Sequence, residues 1–80
     1  MNDILRDINY LTEQKPLIIK KYGNPGDKCK FTIYHTGDIL WTAKYEIKIS
    51  GEYKTLIWSQ DTTFDRTVRK LADNLRRFPL

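Results

Sequence analysis

Few side chains in this sequence are equipped for catalysis, and they stand apart. There is one cysteine, Cys29, and one histidine, His35. Read as a strand, residues 28–35 put both on one face but roughly 20 Å apart by strand rise, too far for a thiol–imidazole pair. Two such residues also fall short of the roughly four ligands of a structural zinc site. Asp61 and Asp65 come closest to a carboxylate pair, but they sit at the start of a helix, where capping and the dipole explain acids. Gly23, Gly26, Gly37 and Gly51 each fall in a turn, and none opens a phosphate-cradling run. The residues therefore argue against an enzyme, a metal, a cofactor or a small-molecule substrate.

Binding chemistry is better represented, and it is cationic. Arg66, Arg69, Lys70, Arg76 and Arg77 share the outer face of the last predicted helix, with Asp73 the one acid among them. Arginine reaches phosphate through paired donors, so this stripe reads as a nucleic-acid contact. A solvated helix face with basic residues near its C-terminal dipole has the same composition. A second set, Lys28, Lys30, Lys44 and Lys48 with Tyr34, Thr42, Thr55 and Ile57, falls on one face of a predicted sheet. Lysines there guard against aggregation, while Tyr34 offers a surface on which a base stacks. Trp41 and Trp58 are expected on the opposite, inner face. Ile18, Tyr22 and Leu40 are expected to point outward and, with Ile57 and Tyr34, to offer a patch to a protein partner.

Local patterns supply the elements that position these groups. Residues 2–14 read as a helix with Ile4, Ile8 and Leu11 on one face, Leu5 beside them, Asn2 or Asp3 as cap and Pro16 as stop. Residues 17–22 are short, β-rich and bounded by breakers, and read as a first strand or as a loop that plugs the core. Gly23-Asn24-Pro25-Gly26-Asp27 is a turn. Residues 28–35 alternate, with Cys29, Phe31 and Ile33 inward. Residues 39–49 alternate more clearly, with Ile39, Trp41, Ala43, Tyr45, Ile47 and Ile49 inward. A Gly51-Glu52 loop sets Ile47 against Leu56 and Tyr45 against Trp58. A Thr36-Gly37-Asp38 loop sets Ile33 against Trp41 and Phe31 against Ala43. The five residues 23–27 set Ile19 against Phe31 and Leu17 against Ile33. All three hairpins place the same apolar face inward, and a one-residue slip destroys that agreement. A helix over 63–78 follows, with Phe64, Val68, Leu71, Ala72, Leu75 and Phe78 on one face. The expected fold is α+β: a four-stranded antiparallel meander with an N-terminal and a C-terminal helix packed on one face.

The bulk properties agree with one domain spanning 1–80. The chain has 80 residues, 40% of them hydrophobic and 30% charged, which is ordinary for a folded globular domain. Net charge is +4, a mild bias toward acidic partners. A lone cysteine closes no intramolecular disulfide, so a reducing cytoplasm is the expected compartment. No apolar run approaches the roughly 20 residues of a membrane helix, and the acidic N-terminus is unlike a secretory signal.

The helix–sheet–helix order resembles the double-stranded-RNA-binding domain. The run Gly23-Asn24-Pro25-Gly26-Asp27-Lys28-Cys29-Lys30-Phe31-Thr32-Ile33 is similar to that family's Gly-Pro loop and following strand. The chain departs from the family in lacking its loop histidine, in carrying an extra predicted hairpin, and in opening the last helix with Thr63-Phe64-Asp65-Arg66 instead of a lysine-rich start. The resemblance is one of architecture, not membership. The size and the missing chemistry also look like small accessory proteins of phages and mobile elements, including inhibitors of host defence. Two functions are thus expected: a nucleic-acid-contacting accessory protein working through the basic helix face, or a protein-binding inhibitor or regulator directed at a host protein. An exposed edge strand leaves homodimer pairing open.

Overall fold

A computed structural model describes residues 3–79. It has three helical segments and three strands: α1 Asp3–Glu13, α2 Lys15–Tyr22, β1 Lys28–Thr36, β2 Leu40–Ile49, β3 Glu52–Asp61 and α3 Phe64–Arg77. Asn2, expected as an alternative cap for the first helix, lies outside the described residues.

The four-stranded expectation is wrong, because residues 17–22 are helical. Pro16 starts α2 instead of ending the helical arm, since proline is tolerated in a first turn, where its missing N–H has no partner to lose. Gln14 keeps α-helical dihedrals, and Ile18 N–H donates to its carbonyl at 3.0 Å, so helical hydrogen bonding carries across the junction. Ile18 and Tyr22, four residues apart, then share a face. Ile18 is fully buried and Tyr22 packs on Phe78 with ring centroids 5.3 Å apart. The outward patch expected from Ile18, Tyr22, Leu40, Ile57 and Tyr34 is therefore dispersed, with Ile57 also packed on the core.

The sheet is an antiparallel meander in the order β1-β2-β3. Inner residues Phe31, Ile33, Ala43, Tyr45 and Ile47 face the helices as expected, though the partners shift. The first hairpin loop is Gly37-Asp38-Ile39, so Ile33 opposes Ala43 and Phe31 opposes Tyr45. This is a two-residue slide, which preserves the faces, and it leaves Ile39 73% exposed. The second loop is Ser50-Gly51. Both have positive φ, 53° and 82°, as a type I′ turn requires, and its twist suits the hairpin.

Beyond that turn Ile47 opposes Lys54, and then the register shifts at Tyr45/Glu46. Glu46 pairs with Thr55 and Tyr45 with Ile57, leaving Leu56 as the extra residue of a bulge. One extra residue exchanges the faces of everything after it. Ile57 and Ser59 turn inward, and Trp58 turns outward opposite Lys44, 57% exposed. The expected inner position of Trp58 and outer position of Ile57 are thus both reversed.

The helices cover the inner face. Thr63 caps α3, its hydroxyl accepting from Arg66 N–H at 3.2 Å. Val68, Leu71, Ala72 and Leu75 meet Leu11 of α1, Ile18 of α2 and Ala43, Tyr45 and Ile47 of β2 in one core. The buried Tyr45 hydroxyl donates to the Leu11 carbonyl and ties α1 to the middle strand. With α1 and α2 taken together, the order is helix, three strands, helix, so the extra hairpin that set the chain apart from double-stranded-RNA-binding domains is gone. Among the described residues no helix is long and apolar enough to cross a membrane.

Candidate nucleic-acid interface

The basic face of α3 is largely occupied by the protein's own acids. Lys70 Nζ lies 2.8 Å from Asp61 Oδ2, with Arg66 Nε 3.9 Å from the other oxygen. Arg69 donates to Asp3 at 2.8 Å, and its Nε lies 3.6 Å from Asp7. Arg76 donates to Asp73 at 2.7 Å, lies 3.6 Å from Asp7 and covers the Tyr10 ring at 4.5 Å. Arg77 takes no part in these pairs. Four of the five expected contact residues thus face aspartates from α1, β3 and α3 itself, which cancels most of the field the stripe would project. The Lys70 ammonium and the Thr62 N–H hold the Asp61 carboxyl down at about 2.

Asp7 was not legible as part of this network. It occupies the apolar side of α1, between Ile4, Ile8 and Leu11, and is 1% exposed. Its Oδ1 has no hydrogen-bond partner among the described residues and faces Arg76. The only available signal was an acid inside an amphipathic stripe, one turn beyond the first-turn acid Asp3.

The outer face of the sheet has the opposite character. Pairing lays out successive rows: Lys28, Lys48 and Tyr53; Lys30, Glu46 and Thr55; Thr32, Lys44 and Trp58; Tyr34, Thr42 and Gln60. Among the described residues no carboxylate lies within ion-pair distance of Lys28, Lys30, Lys44 or Lys48, and Glu46 is the one acid in these rows. The lysines approach rings instead. Lys30 Nζ stands 3.9 Å from the Tyr53 centroid, Lys48 5.6 Å from the same ring, and Lys44 5.9 Å from Tyr34. Tyr34, Tyr53 and Trp58 are 41%, 39% and 57% exposed. Thr42 stiffens this surface, since its hydroxyl pairs with that of Thr36 and accepts from Gln60 Nε2 at 3.0 Å. The structure therefore brings together all five expected sheet-face residues. It adds Tyr53 and Trp58, which sequence reasoning missed. A run of three apolar residues, Leu56-Ile57-Trp58, fits no alternation and was the available sign of a bulge.

The remaining reactive groups assemble into nothing. Cys29 lies on the inner face opposite Ile47, and burial pushes its thiol up, away from the reactive thiolate. His35 lies directly across from Trp41, with ring centroids 3.7 Å apart, and Trp41 stacks edge-on against Phe64 at 5.2 Å. Trp41 is thus an inner-face residue, as expected. Among the described residues no group of His, Cys, Asp and Glu is arranged to hold a metal.

The fold and this surface define a two-layer α+β domain with one face closed by helices and one left open, cationic and aromatic. No protein family, curated protein or solved structure matches the chain.

Proposed function

We propose that this domain binds single-stranded nucleic acid on the open face of its sheet and performs no chemistry of its own. One observation carries the reading: four lysines with no acidic partner among the described residues are interleaved with three exposed aromatic rings on the same surface. Lysines answer phosphates, and rings answer unstacked bases, whatever their identity. Tyr34 and Trp58 lie on the two outer strands and two residues apart in register, so their Cα atoms are about 12 Å apart by strand spacing and rise. That is too wide to clasp one base and suits two bases of an extended strand. A duplex keeps its bases stacked inside and offers these rings nothing. The arginines of α3 are the alternative contact, but Arg66, Arg69 and Arg76 would each have to release an aspartate first.

The test is a salt series. Binding of single-stranded and duplex oligonucleotides of one sequence is measured by fluorescence anisotropy, with the wild-type chain and with Lys28, Lys30, Lys44 and Lys48 changed to Gln. The single strand binds more tightly. The variant's slope of log affinity against log salt is shallower, by about 0.7 for each phosphate contact removed. Equal slopes reject the sheet face.

A protein partner is the second reading, and the exposed Trp58 favours it, since indoles are frequent interface anchors. In that case the chain acts as an inhibitor or regulator, oligonucleotides do not bind, and the lysine changes leave partner binding intact.

A further inference from the structure

We propose that the open pocket at the hairpin end of the sheet face binds the terminal phosphate of the strand lying on that face. The inference rests on the single-strand reading above. The pocket has a volume of about 200 Å³ and is lined by Gly26, Asp27, Lys28, Lys48 and Gly51. Lys28 and Lys48 are directly cross-strand partners. Like charges placed opposite one another destabilise a sheet, and among the described residues no carboxylate lies within ion-pair distance of either. Asp27 is the one acid in the lining. Its Oδ2 accepts from Asn24 N–H at 2.7 Å, inside the turn that joins α2 to β1. Two lysines and one aspartate thus line a small space and leave it a net charge of +1.

The space admits a phosphate group, since it equals roughly seven waters at their liquid share. Charge selects the ligand. A terminal phosphomonoester carries about −1.5 to −2 at neutral pH and is drawn to a net positive lining more strongly than an internal phosphodiester, which carries one negative charge. Position agrees as well, since Lys48 stands beside Tyr53 at the end of the row of rings, where a strand running over Trp58 leaves the sheet.

The test compares one single-stranded oligonucleotide with free hydroxyl ends, with a 5′-phosphate and with a 3′-phosphate, against the wild-type chain and a Lys28→Gln/Lys48→Gln variant. Amide NMR shifts with inorganic phosphate at constant ionic strength serve as the second readout. The expected result is about tenfold tighter binding for at least one phosphorylated end, lost in the variant. Phosphate should also shift Gly26, Lys28, Lys48 and Gly51 in the wild type alone. Equal affinities for all three oligonucleotides overturn the pocket while leaving the sheet-face reading standing. If no oligonucleotide binds, both fall. Phosphate shifts without an end preference overturn the assignment to a strand terminus.

Discussion

The Asn74 side-chain amide donates to the backbone carbonyl of Trp58 across 3.1 Å, so a helix on one face of the sheet holds the residue whose indole projects from the other. The next residue, Ser59, turns inward and its hydroxyl donates to the Thr67 carbonyl at 2.8 Å. This pair of contacts matches β3 only in its bulged phase, in which Ser59 faces α3 and Trp58 faces away. Asn74→Ala should lower stability by about 1 kcal/mol, a typical net value for one hydrogen bond. Ser59→Ala should cost at least as much, because that contact is buried. Urea midpoints of the two single variants and the double variant measure both losses, and near-additive values are expected for separate latches.

Trp58 and Trp41 should respond oppositely to substitution. Trp58→Ala removes an exposed ring from the outer face, so oligonucleotide affinity should fall by about 1–3 kcal/mol, the usual worth of a stacked base. Its urea midpoint should move little. Trp41 stacks between His35 and Phe64 on the helix side, so Trp41→Ala should lower the midpoint and leave affinity per folded molecule unchanged. Tryptophan emission checks the assignment in one step: a bound single strand should quench the Trp58 signal in the Trp41→Phe variant and leave the Trp41 signal unaltered in the Trp58→Phe variant.

Some of this arrangement was written plainly in the amino-acid order. Phe31, Ile33, Ala43, Tyr45 and Ile47 alternate strictly, and a slide of two residues at either hairpin leaves such a face unchanged. Val68, Leu71 and Leu75 announce an amphipathic helix with Asp61, Thr62 or Thr63 as its cap, and α3 is one, capped by Thr63. What misled was local chemistry with two readings. Leu17-Ile18-Ile19 suits a strand by propensity, but burying Ile18 and Tyr22 on one helical face against the core outweighs a propensity that is weak and context-dependent. Gly51-Glu52 suits a two-residue loop, whereas Ser50 tolerates positive φ and moves the turn one step earlier. The Leu56 bulge then inverts parity, so Trp58, inward by simple alternation, faces outward. The lysines of the sheet face were legible because their alternation precedes the bulge. The neutralisation of the α3 arginines was not, because Asp3 and Asp7 meet Arg69 only after α1 and α3 pack.

Asp61 makes stability depend on acid. Its folded-state pKa is lowered from 3.8 to about 2, chiefly by the hydrogen bond from Lys70 and then by that from Thr62 N–H. A depressed carboxylate contributes stability that is fully present above its unfolded value and is lost as pH falls through the folded one. The contribution should therefore be intact at pH 5 and above and decline between about pH 4 and pH 2. Thermal unfolding of the wild-type chain should become steeply pH-dependent in that window. Asp61→Asn should flatten the dependence there and lower stability near neutrality. A wild-type curve parallel to that of Asp61→Asn across the window would show that Lys70 leaves this carboxylate unperturbed.

Gly23 closes the turn between α2 and β1 for a reason of space, not of dihedral freedom. Its φ of −120° is open to any residue, and its N–H donates to the Ile19 carbonyl at 2.9 Å. A Cβ placed on it would stand 2.8 Å from Asp27 Oδ2 and 3.1 Å from Ile47 Cδ1. The first contact pushes on the carboxylate that accepts from Asn24 N–H, and the second pushes on a fully buried core residue. Gly23→Ala should therefore cost about 1–3 kcal/mol, the usual range for overpacking. Asp27→Ala removes the closer contact, so the double variant should be less destabilised than the sum of the singles. A glycine kept for its backbone entropy alone would act the other way: Gly23→Ala would raise the urea midpoint by stiffening the unfolded chain, and the two substitutions would add.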